Sequence, residues 1–198
     1  MIKRGGNENH PKAGSKIKVD PIRDVRDIKA IRKMLNGNAM YHALFTVGIN
    51  TNLRASDLVK ITVGQVRGIR PLDEIEIREQ KTEKTRRISL NKTCVEAIRA
   101  LLETGDWHDN EPLFRGQRGA LTVPSVHRLV KEWCRAIHLK GNFGSHTLRK
   151  TWGYHQRVSF GVGIPELMTC FNHSTQRQTL AYLCVQPDEI RNIYANEL

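Results

Sequence analysis

Four places along the chain hold side chains whose types and spacing could act on an anion. Arg54 stands at the entrance to a helix, with Asp57 three residues on. Lys81 occupies a polar segment with Lys84, Arg86 and Arg87 close by. His146 and Arg149 are again three apart and so share one helix face; Ser145 is placed to cap that helix and set His146 in its first turn. A basic pair projecting from a helix start suits an anion, because the positive end of the helix dipole adds to the side-chain charge. Tyr182 follows His173 by nine residues, in a segment from Thr175 to Cys184 with helical patterning. Taken singly, each place has an ordinary structural explanation. The pair at Arg54 can be a surface salt bridge, the lysines a solvated loop, His146 and Arg149 part of a capped surface helix, and Tyr182 a core residue beside Leu180 and Leu183.

The elements that must position these groups follow from periodicity. Asp24 is a candidate N-cap for a helix whose Val25, Ile28, Ile31 and Leu35 share a face, with Gly37 as the stop. Met40, Ala43, Leu44 and Val47 mark a second helix, nearly free of charge and therefore central to the core. The turn Thr51–Arg54 leads into a third helix, Ala55 to about Ile61, and Asn52 is a residue type that tolerates the left-handed backbone such a turn can require. The period then becomes two: Glu74–Arg78 and Arg87–Leu90 alternate, with Gln80–Thr85 as a hairpin tip. Val95, Ile98, Leu101 and Leu102 give another helix closed by Gly105, and Val126, Leu129, Val130, Trp133 and Ile137 a strong stripe. Pro165 suits the first turn of a later helix, Ser174 caps the next, and Pro187–Glu189 opens a last one with Ile190, Ile193 and Tyr194. The expected fold class is α+β, mainly α-helical, with one small antiparallel sheet. Residues 1–20 show no apolar periodicity and read as a flexible basic lead-in or linker remnant, ahead of one domain over 21–198.

Composition bounds the function. The 198 residues include 32 Lys+Arg against 20 Asp+Glu, a formal charge of +12, with 39% hydrophobic residues. That is length and apolar content enough for a core without disulfide staples. The basic balance implies an acidic partner, nucleic acid ahead of an anionic membrane surface. No membrane span or signal peptide is visible, and the cysteines (Cys94, Cys134, Cys170, Cys184) lack zinc or redox spacing. They read as reduced thiols of a cytoplasmic protein. No phosphate-loop or dinucleotide glycine pattern occurs.

Taken together and in order, the four places resemble the catalytic set of the tyrosine recombinases, the phage integrase family. Thr51-Asn52-Leu53-Arg54-Ala55-Ser56-Asp57-Leu58 is similar to the family's first Arg box, and Gln80-Lys81-Thr82 to its hairpin lysine. Ser145-His146-Thr147-Leu148-Arg149-Lys150-Thr151 matches its His-x-x-Arg box, and Asn172-His173-Ser174 with Thr179-Leu180-Ala181-Tyr182 resembles its last segment. Asn52 and Asn172 stand where the family usually has Gly, and Asp57 where it often has Glu.

The resemblance, which covers about residues 21–194, implies a tyrosine-recombinase-like catalytic domain and a DNA transesterification needing no metal, ATP or other cofactor. Tyr182 would attack the scissile phosphate, giving a 3′-phosphotyrosine and a 5′-hydroxyl. Arg54 and Arg149 would bind the non-bridging oxygens, Lys81 would protonate the leaving oxygen, and Lys84 three positions away is the alternative acid. His146 would help accept the tyrosine proton, His173 would hydrogen-bond a phosphoryl oxygen, and Asp57 would fix the Arg54 guanidinium. The implied partner is double-stranded DNA, bound by a homotetramer that is monomeric when free, with accessory DNA-bending proteins in a bacterial, phage or mobile-element setting. The stretch after Tyr182, including Ile190, Ile193 and Tyr194, either passes to a neighbouring copy or packs on its own domain. Rival activities are type IB topoisomerase-like relaxation, a catalytically idle DNA-binding regulator of the same fold, and an RNA-binding basic domain. The family's N-terminal DNA-clamping domain has no counterpart in the matched stretch, so the chain is expected to be a catalytic fragment or a minimal natural protein.

Overall fold

The computed structural model describes residues 19–80, 83–116, 119–183, 191 and 194–197. Val19, the first described residue, is buried, and the Asp20 carboxylate accepts the Asn142 N–H at 3.0 Å. Ile22, fully buried, donates its N–H to Thr151 Oγ1 at 2.9 Å.

Helix α1 (Val25–Leu35) starts at Asp24, whose side chain accepts the Arg26 N–H at 2.7 Å. Asn38 caps α2 (Ala39–Asn50) in the same way through Tyr41 at 3.0 Å. Each cap satisfies a first-turn donor that the helix itself cannot. Residues 43–49 of α2 are all buried, as its lack of charge implies, and it packs against α1, α5 (Lys92–Leu102) and α7 (Ser145–Val158). Gly48 permits the α7 contact, since a Cβ there would lie 2.6 Å from Leu148 Cδ1.

The third helix is shorter than its apolar pattern implies. α3 spans Ala55–Leu58, and α4 (Val63–Val66) follows, its entry fixed by the Thr62 N–H donating to Gln65 Oε1 at 2.9 Å. Strands β1 (Glu74–Arg78) and β2 (Thr85–Ser89) pair antiparallel with Ile75 opposite Ile88 and Ile77 opposite Arg86. A second, two-residue pairing of β3 (Arg115–Gly116) with β4 (Gly119–Ala120) had no readable alternation, being too short to show a period. Then come α6 (Val123–Ala136), α7, α8 (Ile164–Phe171) and α9 (Gln176–Leu183). The architecture is mainly helical with a small antiparallel sheet.

Two expected caps lie one residue away. Ser145 is inside α7, whose N-cap is Gly144; the Gly144 N–H donates to Thr147 Oγ1 at 3.0 Å and the Ser145 N–H to His127 Nδ1 at 3.4 Å. The ring of His127, on α6, sits where a Cβ at residue 144 would be, so glycine is required there by contact rather than by its backbone angle. At α9 the capping hydroxyl is Thr175, which accepts the Gln178 N–H at 3.3 Å, rather than Ser174. The expected final helix, with Pro187, Ile190 and Ile193, lies outside the described residues.

Most of the core is one cluster centred on α2, with Phe45, Leu44, Leu53, Ile98 and Phe114 fully or almost fully buried. A separate small cluster, Leu167, Phe171 and Leu183 with Trp152 and Tyr182 against it, fastens α8 and α9 to α7. Among the described residues no helix is long and apolar enough to cross a membrane.

Candidate active site

The turn between α2 and α3 presents Arg54. Asn52 within it has φ 55°, is 1% exposed, and donates from Nδ2 to the Cys170 carbonyl at 2.7 Å. Asn172, which ends α8, adopts the same left-handed conformation with φ 54°. Both asparagines thus stand where an L-residue without a short polar side chain would be strained. Together they join the Arg54 turn to the segment that carries His173.

The Arg54 guanidinium reaches Glu79 Oε2 at 2.9 Å and Asp57 Oδ2 only at 3.9 Å. Glu79, 1% exposed, is therefore its nearer partner, and Asp57, fully buried, chiefly accepts the Gln80 N–H at 2.9 Å through Oδ1. The two carboxylates tie α3 to the end of β1, beside the expected lysine. Lys81 itself lies outside the described residues; Lys84 is exposed, next to β2.

α7 contributes Arg149, 2% exposed, which donates from Nη2 to the Phe171 carbonyl at 2.9 Å. Its Nη1 is buried with no hydrogen-bond partner among the described residues. Burial pushes the Arg149 guanidinium down to about 10; the Tyr182 phenol opposes this, the Arg54 and Arg86 charges add to it, and Glu79 counters them. His146 is exposed in the first turn of the same helix.

Tyr182 packs into this group from α9. Its ring lies 5.0 Å from Phe171, 5.7 Å from His173 and 5.7 Å from the Arg149 guanidinium carbon, with Lys150 Nζ 5.5 Å away, and its hydroxyl is buried. His173 stacks on Phe171 and shares a 3.0 Å hydrogen bond between Nδ1 and Thr179 Oγ1, which orients the imidazole. Tyr194, in contrast, is 86% exposed.

Arg54, Arg149, His173 and Tyr182 are thus drawn from three separated stretches of chain into one site, and Glu79, Arg86 and Lys150 accompany them. Sequence reasoning passed over those three. Glu79 continues the inward alternation Ile75, Ile77, and Arg86 precedes Ile88 and Leu90 in the same phase, so both inward positions were readable from the period of two. Lys150 had no such signal, because α7 buries residues on most of its circumference from Ser145 to Gly153. Among the described residues no group of three or more His, Cys, Asp or Glu side chains could hold a metal ion. The arrangement can hold an oxyanion between guanidiniums beside a phenol.

Comparison with known proteins bears on the family and the fold. The family model described as the phage integrase family matches residues 24–189. The chain is 34% identical over 181 residues to the protein named "Probable integrase/recombinase YoeC" of Bacillus subtilis (strain 168), covering 89% of this chain and 95% of that protein. Its fold is similar to that of XerA recombinase, with a TM-score of 0.72 at 19% identity, over 94% of this chain and 65% of that one. It is also similar to XerH site-specific recombinase bound to its palindromic difH substrate, with a TM-score of 0.73 at 15% identity, over 92% of this chain and 54% of that one.

Proposed function

Because the chain belongs to the phage integrase family, we propose that it is a site-specific recombinase that cuts and rejoins double-stranded DNA through a 3′-phosphotyrosine on Tyr182. The observation that supports this most is the meeting of Arg149, His173 and Tyr182 beside Arg54, with a buried guanidinium donor still to be satisfied. A buried N–H without a partner costs about 1–3 kcal/mol, which a phosphate oxygen would return.

The Tyr182 oxygen attacks phosphorus and loses its proton, which His146 helps accept. The bond to the 5′ oxygen breaks, and that oxygen takes a proton from Lys81. The phosphodiester energy is kept in the new ester, so the freed hydroxyl can attack back and reseal. Arg54 and Arg149 bind the non-bridging oxygens, where negative charge grows in the transition state, as planar forks with fixed charge. His173, oriented by Thr179, donates to a phosphoryl oxygen. This scheme asks for no metal and no ATP. In the same proposal the assembly on DNA is a homotetramer, as the family resemblance implies.

Incubating the protein with a pool of nicked duplexes of randomised sequence and recovering denaturant-resistant adducts tests this and yields the site. Tyr182→Phe is expected to abolish the adduct and Tyr194→Phe to leave it intact. An adduct that survives Tyr182→Phe overturns the proposal. With the recovered site, strand exchange between paired duplexes is expected; relaxation of supercoiled plasmid without exchange would make the chain a topoisomerase instead.

A further inference from the structure

The hairpin brings a third guanidinium into the site. Arg86, on β2, lies 3.3 Å from Glu79 Oε1, while the other oxygen of the same carboxylate is 2.9 Å from Arg54. Asn172 Nδ2 adds a donor to Oε2 at 3.3 Å. One buried carboxylate therefore bridges two guanidiniums whose side chains are both 16% exposed. One guanidinium balances the charge of Glu79, so the second leaves net positive charge around that carboxylate. Arg86 does more, because its charge is also felt at Arg149. Three guanidiniums (Arg54, Arg86, Arg149) face two carboxylates (Asp57, Glu79), and Lys150 adds a further cation beside Tyr182, so the site carries net positive charge for an anion. Each guanidinium has five N–H donors, and bridging to Glu79 leaves most of them for another oxyanion. An open groove of about 520 Å³, lined by Arg86, Asn52, Asn172, Lys84, Arg87 and Trp152, reaches Arg86 from outside beside the asparagines next to the Arg54 turn and His173; Arg54, Arg149 and Tyr182 do not line it.

We propose that Arg86 is a further phosphate-binding residue of the active site, and that Glu79 is the positioning residue that holds Arg54 and Arg86 side by side for the same phosphodiester. This rests on the DNA-cleavage reading above. The bland alternative is that Glu79 and Arg86 form a cross-strand ion pair that only closes the hairpin.

Charge removal on the substrate separates the two. In the nicked duplex recovered from the randomised pool, the scissile phosphate is replaced by a methylphosphonate, which lacks one negative oxygen. A cation that neutralises that oxygen becomes dispensable, whereas a residue that only holds the fold does not. Arg86→Ala is expected to slow adduct formation about 10²-fold or more on the phosphodiester and to approach wild-type rate on the methylphosphonate. Arg86→Lys, which keeps a charge and is the safer variant for folding, is expected to lose about 10-fold on the phosphodiester only. Glu79→Gln keeps one acceptor for one guanidinium, so its smaller loss should also shrink on the methylphosphonate. Equal slowing of the Arg86 variants on both substrates, or no slowing on either, overturns the proposal. Arg54→Ala is the control: failure of the methylphosphonate to restore it overturns the parent reading, while its recovery without that of Arg86→Ala overturns the third guanidinium alone.

Discussion

Arg149 carries its charge where burial works against it. Its folded pKa lies below the ordinary guanidinium value, at about 10, so the folded state is penalised at every pH below that. The penalty lessens only as pH rises through about 10 toward the usual range. Arg149→Met, similar in volume and uncharged, should therefore abolish adduct formation while raising the unfolding free energy by about 1–3 kcal/mol at pH 7. Urea denaturation checks this, and a fall in stability would mean that the hydrogen bond to the Phe171 carbonyl outweighs the burial cost. Burial acts on the thiols in the opposite sense, pushing Cys94 and Cys134 up to about 12. At pH 8 a thiol reagent should leave both unmodified until the protein unfolds, while exposed Cys170 reacts in the native state. Mapping of the labelled peptides distinguishes them.

At the scale of elements, α9 is fastened to α7 and α8, among the described residues, through one small apolar cluster. Leu167, Phe171 and Leu183 form its anchor, and Gly153 on α7 lets them close: a Cβ there would lie 2.6 Å from Phe171 Cζ and 2.9 Å from Leu183 Cδ2. Gly153→Ala should gain helix propensity in α7 yet lose about 1–3 kcal/mol to overpacking in this small cluster. Hydrogen exchange should then speed up across 176–183 while the amides of α2 keep their protection, and adduct formation should fall with Tyr182 displaced. Uniform destabilisation of both regions would show that the two clusters unfold as one. The hairpin is the second attachment that matters. Asp57 and Glu79 fasten it to the Arg54 helix, and Glu79, just past β1, lies in phase with the inward Ile75 and Ile77, where a carboxylate reads as an exception until its partners are known.

For the whole molecule, the formal charge of +12 exceeds what the three-guanidinium site uses. If the remaining cations hold flanking duplex, log affinity for the recovered site should fall linearly with log salt at about −0.9 per neutralised phosphate. Six such contacts would lower binding on the order of 10³-fold between 50 and 200 mM salt, as fluorescence anisotropy would register. A flat profile would count against a phosphate-gripping surface.

Sequence by itself determined the local vocabulary: where most helices lie, with the caps of α7 and α9 one residue off, where the period changes to two, and that an Arg box, a His-x-x-Arg box and a His-to-Tyr segment follow in order. It also marked Asn52 as a residue type that accepts the left-handed backbone of its turn, whereas the same conformation at Asn172 emerged only from the structure. These are properties of neighbouring residues, set by sterics and hydrogen bonds within a few positions. Pairings across the chain were decided only in three dimensions. That Glu79 rather than Asp57 is the nearer partner of Arg54, that His127 leaves room only for glycine at 144, and that the ring of Tyr182 rests against Arg149 each depend on elements far apart in sequence. Such contacts are selected by packing and by the cost of burying charge without a partner, and neither is written in the spacing of any one segment.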